Sequence, residues 1–161
     1  MINLESADAL AFMDLALDQM MTKAVSLGPL VSERPQLEGT NSVFSLVVHC
    51  VGVADWWLDH AVLGNPSSRD RDAEFAATGT IAELESSVAR FRSGLPGLLD
   101  QVAQTEVPRS AGLEAATSTS RRWSWTTGSI VLHVIEELFQ HAGHVDITAD
   151  LLTAEHERHG E

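Results

Sequence analysis

Histidines and acids recur at helical spacing late in the chain, in His133-Val-Ile-Glu-Glu137-Leu-Phe-Gln-His141-Ala-Gly-His144-Val-Asp146. His133, Glu137 and His141 fall at i, i+4 and i+8, so on a helix they project from successive turns. A further histidine, His49, stands in the apolar stretch Phe44-Ser-Leu-Val-Val-His49-Cys-Val-Gly-Val53. Imidazole and carboxylate are ligands that zinc favours, and a catalytic zinc site keeps three protein ligands and one open position. Glu137 and His141 can grip one ion from neighbouring turns, but a third ligand has to come from another element. His49 is the best candidate, because an unpaired imidazole among apolar side chains carries a desolvation cost. Two blander readings stand beside this one: a core histidine satisfied by a nearby acid or carbonyl, and a surface Glu–His pair. No nucleophile motif, phosphate loop or repeat elsewhere competes with the candidate site.

These side chains need helices to hold them, and the apolar periodicity supplies four. The first is predicted over about Asp8 to Leu27, with Leu10, Met13, Leu17, Met20, Met21 and Ala24 at helical spacing and Gly28-Pro29 as its stop. Thr40 or Asn41 is expected to cap a second helix, apolar over most of its circumference, running to about Leu63 before Gly64-Asn-Pro66. A polar linker from Ser67 to Gly79 follows. Thr80 with Glu83 forms a capping box for the third helix, in which Pro96 is expected to impose a kink or a break, with continuation to about Val102.

The fourth helix is expected from Thr126 or Thr127 to about Leu152. Its apolar face is Val131, Val134, Ile135, Leu138, Ala142 and Val145, with Glu137 and His141 at the border and His133 farther out and more exposed. The long stretch before it, about Gln104 to Trp125, is expected to cross over and pack by its tryptophans. This pattern describes an all-α, antiparallel four-helix bundle with a long crossover between the third and fourth helices. The domain is expected to span 1–152. The tail 153–161, with His156 and His159, reads as frayed and solvated.

Composition excludes several functions. At 161 residues with 44% hydrophobic content, the chain suits one globular domain. Ten basic residues against 23 acidic ones give a net charge of −13, which argues against nucleic-acid binding. No apolar run is long enough for a membrane span, and the N-terminus lacks the basic region of a signal peptide, so a cytoplasmic location is expected. The single cysteine, Cys50, excludes an intramolecular disulfide and reads as a small buried hydrophobe. Trp56 and Trp57 read as core or dimer-interface residues, and a homodimer is one expected state.

The two motifs also resemble the DinB-like superfamily, in particular its mycothiol-dependent S-transferase and maleylpyruvate isomerase metal-binding branch. Asn41-Ser-Val-Phe-Ser-Leu-Val-Val-His49 with Trp56-Trp57-Leu58 looks like the helix carrying that family's first histidine. Trp125-Thr-Thr-Gly128 and the following His133 to Asp146 segment look like its last helix. The resemblance implies metal ligands at His49, Glu137 and His141, with zinc the expected ion and nickel an alternative. It implies a low-molecular-weight thiol such as mycothiol as cosubstrate, conjugated to a small electrophile. His133 and His144 fall outside the triad and are assigned to supporting or substrate contacts.

Arg121 and Trp123, with Arg122 and Trp125, either line the entrance to the site or anchor their loop. The isomerase carries a further C-terminal domain, so the resemblance favours the stand-alone transferase branch. The rival readings are a non-catalytic bundle binding a metal or small ligand, and a metal-dependent hydrolase with Asp55 or Asp59 as base.

Overall fold

The computed structural model describes residues 4–109 and 125–159. All regular structure among them is helical: α1 (Ser6–Leu27), α2 (Val43–Asp55), α3 (Arg71–Ala76), α4 (Ile81–Ala103) and α5 (Thr127–His159). In α1, Ala9, Met13, Ala16, Leu17, Met20 and Ala24 are buried, one stripe at intervals of three and four. That stripe packs on α5 and α4, while α2 packs on α5 and α3. Met13, Leu17 and Met20 are wholly buried, as is Leu138 of α5. Each such side chain contributes about 1.5–3 kcal/mol by leaving water. One continuous core joins the four longer helices.

Helix starts follow local chemistry closely. The Ser42 hydroxyl caps α2 by accepting from the Ser45 amide at 3.1 Å, one residue beyond the expected cap. Thr80 and Glu83 form the expected capping box of α4, with Glu83 Oε2 accepting from the Thr80 amide at 2.8 Å. Thr126 Oγ1 accepts from the Ser129 amide at 3.1 Å at the head of α5. The end of α1 falls at Gly28, whose φ of 57° suits a residue without a Cβ.

Four expectations need correcting. Pro96 does not break α4, which continues through it to Ala103, one residue past the expected end near Val102. Leu95 and Leu99 on either side are buried in the core, while Pro96 faces solvent, where the carbonyl it leaves unbonded can meet water. The second helix does reach the expected stop, but beyond Asp55 it widens into a π-helical stretch, Trp56–Val62. The linker is not plain coil, because it contains α3. Finally, 153–159 is helical and continues α5. Glu155 there accepts from the Gln36 amide at 3.0 Å, and His156 Nε2 lies 3.2 Å from Glu33 Oε2. Those ties to the segment after α1 hold the last turns in place. The expected crossover residues Arg121 and Trp123 lie outside the described residues.

Candidate metal centre

α2 and α5 bring His49, Glu137 and His141 together. One ligand-type atom from each lies within 4.8 Å of the others. A tetrahedral zinc with bonds of about 2.0–2.1 Å sets its ligand atoms about 3.3 Å apart. Glu137 Oε2 and His141 Nε2, at 3.7 Å, are already close to that spacing. The donor set of two imidazoles and one carboxylate therefore fits a divalent ion and leaves a coordination position open.

Burial of the three differs. His49 is only 3% exposed, whereas Glu137 and His141 are half-buried at the edge of the apolar face of α5. This border position is what the helical phase of α5 requires. Burial depresses the basicity of both imidazoles. His141 is brought down to about 4, by desolvation first and then by the charges of His49, His144 and Arg71. His49 is lowered chiefly by desolvation, against an opposing pull from Glu74. Both rings are thus neutral near pH 7, the state a metal requires.

His49 is gripped by α3. Its Nδ1 lies 2.8 Å from Glu74 Oε2, and its ring stacks on Phe75 with centroids 4.2 Å apart. Glu74 is itself buried and accepts from Arg69 Nε at 2.7 Å and Nη2 at 2.9 Å. Burial alone would raise the Glu74 carboxyl, but the hydrogen bonds from Arg69 and His49 outweigh it and hold the group below the usual carboxylate range. An ionised Glu74 can only accept, so the shared proton sits on His49 Nδ1 and Nε2 keeps its lone pair. None of these three partners was singled out from the sequence. Glu74 and Phe75 sit in what reads as a polar linker, 25 and 26 positions from His49, so no periodicity relates them to it.

His133 and His144 flank the group on α5. The His144 Nδ1 lies 3.3 Å from His141 Nδ1, on the side away from Glu137. His133 Nε2 lies 3.8 Å from Glu137 Oε1, so the two oxygens of Glu137 face different histidines. His133 is more exposed than His141, whose side chain is 13% exposed, as expected, but not more than Glu137. Its side chain is 17% exposed against 25% for Glu137, because Trp57 and Trp125 pack on it with centroids at 5.0 and 5.5 Å. It belongs to a second group of possible ligands with Glu136 and Glu137.

The remaining candidates stand apart. Cys50 is buried, and burial raises its thiol, so it is no ready nucleophile. Neither Asp55 nor Asp59 belongs to the ligand group, and Asp59 Oδ1 accepts from Asn65 Nδ2 at 2.7 Å. His60 Nδ1 donates to the Asn65 carbonyl at 2.6 Å.

Fold and site together define an all-helical protein with a two-histidine, one-carboxylate centre suited to a divalent ion. The family model described as mycothiol S-transferase matches residues 9–154, and the chain belongs to that DinB-like family. No curated protein and no solved structure shows significant similarity to the chain. Membership implies a transferase that uses mycothiol as its thiol.

Proposed function

We propose that this protein is a divalent-metal-dependent thiol S-transferase that conjugates mycothiol to a small electrophile. The observation that carries the reading is the convergence of His49, Glu137 and His141 from two helices onto one point. In this reading they are the metal ligands, held by one antiparallel four-helix bundle domain in the cytoplasm. No helix among the described residues is long and apolar enough to cross a membrane. Zinc is the expected ion, and nickel is compatible with the same donors.

When bound, the metal supplies a Lewis-acid position that favours the thiolate over the thiol. The chain's own residues do the rest. His49 and His141 present neutral nitrogens, and Glu137 contributes the negative charge that partly balances the ion. His144 hydrogen-bonds the far nitrogen of His141 and steadies that ring from behind, while His133 lies beside the far oxygen of Glu137 at 3.8 Å. In the transfer, the thiol gives up its proton to solvent and its sulfur forms a bond to the electrophilic carbon. A leaving group departs from that carbon, or, in an addition, a proton returns to the neighbouring atom. Cys50 takes no part, which is why the nucleophile is supplied by the cosubstrate.

Elemental analysis of untagged protein beside Glu137→Gln tests the assignment, followed by mycothiol consumption against epoxides and unsaturated acids. About one metal per chain, lost in the variant, together with metal-dependent thiol consumption, is expected. A wild-type protein that stays metal-free when zinc is supplied would refute it. Phe12, Leu15 and Leu132 are exposed apolar residues on α1 and α5 that suit a homodimer. Sedimentation that finds only monomer at working concentration removes that part of the proposal.

A further inference from the structure

Three features of the molecule converge on the Nδ1 side of His49, and the function just proposed needs none of them explicitly. Glu74 is the only carboxylate among the buried polar residues described. It reaches that depth from α3, a helix of six residues that is too short to be stable by itself. Its fold therefore depends on what it touches. α3 is capped at its start, where the Asp70 side chain accepts from the Ala73 amide at 3.0 Å, and tied at its end, where Arg34 Nη2 donates to the Phe75 carbonyl at 2.7 Å.

The two consecutive residues Glu74 and Phe75 constrain the His49 ring in complementary ways. The carboxylate fixes the ring within its plane through Nδ1, and the phenyl ring covers its face. Arg69 fixes the carboxylate in turn with a two-point contact. Space for this arrangement comes from Gly52, one turn along α2 from His49. A Cβ at Gly52 would overlap Glu74 Oε1. The absence of a side chain at that position is thus what lets the carboxylate reach the imidazole.

We propose that α3 is a clamp for the metal ligand His49, with Glu74 as the positioning residue, Arg69 as its anchor and Gly52 as its clearance. The clamp selects the tautomer with Nε2 free and fixes its direction before any ion arrives. This inference rests on the metal reading for its purpose but not for its geometry. The two can therefore fail separately.

The test uses the full chain and two variants, Glu74→Gln and Gly52→Ala. Gln keeps the volume of Glu and can still accept a hydrogen bond, but it lacks the charge. The Gly52 change touches neither metal nor substrate. Long-range proton–nitrogen NMR spectra of metal-free protein report which nitrogen of His49 carries the proton. Zinc affinity is measured by competition with a chelator, and circular dichroism checks that helix content is retained.

The expected result is a wild-type His49 protonated at Nδ1, with the Nε2-protonated form populated in both variants. Zinc affinity is expected to fall about 10–100-fold in each. A wild-type ring protonated at Nε2, or variants within twofold of wild type in zinc affinity, would overturn the clamp. A wild type with the Nδ1 proton in place and no zinc affinity would sink the metal assignment while leaving the clamp standing.

Discussion

His49 and His141 are proposed to serve one ion, yet they are held in opposite ways. His141 is steadied by residues of its own helix, Glu137 one turn before it and His144 one turn after. His49 is steadied by residues 20 to 26 positions away, on α3 and the turn before it. One side of the centre is a property of helical phase; the other is a property of the fold. Changes along α5 should therefore act locally on affinity, whereas changes around His49 should also register in stability.

The largest effect tests what the two sides share. His49→Ala and His141→Ala are each expected to lower zinc affinity by more than the roughly 100-fold at which supporting residues reach their limit. Most helical content should remain, as read by circular dichroism. Stoichiometric zinc in either variant would remove that residue from the ligand set.

Stability should then separate the two sides. Removing the His49 ring takes one hydrogen bond from buried Glu74, although Arg69 still donates to both its oxygens. A hydrogen bond to a charged group is worth about 1.5–3 kcal/mol. His141→Ala removes no comparable buried hydrogen bond, since Glu137 is half-buried and lies 3.7 Å from His141. In urea unfolding of metal-free protein, His49→Ala should be the less stable of the pair. Equal midpoints would show that the contrast between the sides has no energetic weight.

The pH dependence is a smaller effect with a defined sign. Both imidazoles have folded values below the ordinary histidine value, 6.5, with His141 at about 4. Between those values the unfolded chain binds more protons than the folded one, so stability falls as pH falls through this window. Metal-free protein should therefore unfold at lower denaturant at pH 5 than at pH 7. His141→Gln should flatten part of that slope, and an unchanged slope would contradict the burial of a neutral ring.

The same contrast explains what was legible in the sequence. Glu137 and His141 were readable because ligand spacing and apolar phase are both written along one helix. His49 was readable because a histidine within Phe44 to Val53 has no local polar partner. Glu74 and Arg69 were not, because their role exists only once α3 docks on α2. The Thr80–Glu83 box was read correctly from three-residue spacing, and the helix itself followed. Pro96 misled because its cost depends on whether it faces solvent, a tertiary fact. The last turns of α5 were missed for the same reason, since their anchors lie on the segment after α1.

The smallest expected effect is the sharpest on where an ion would sit. α5 carries a second possible ligand group, His133, Glu136 and Glu137, which shares Glu137 with the proposed centre. The groups differ in burial: Glu136 has 60% of its side chain exposed, and its contact with His133 Nδ1 is 3.4 Å across an i, i+3 pair. Exposed pairs of that kind contribute about 0.2–1 kcal/mol, because water and salt screen them. The His133 group also draws all its ligands from one helix, and its one exposed member is Glu136. Glu136→Gln should accordingly leave zinc affinity within twofold of wild type while Glu137→Gln abolishes stoichiometric binding. A matching loss in both variants, with His49→Ala unaffected, would move the ion to the His133 group and dissolve the two-sided centre.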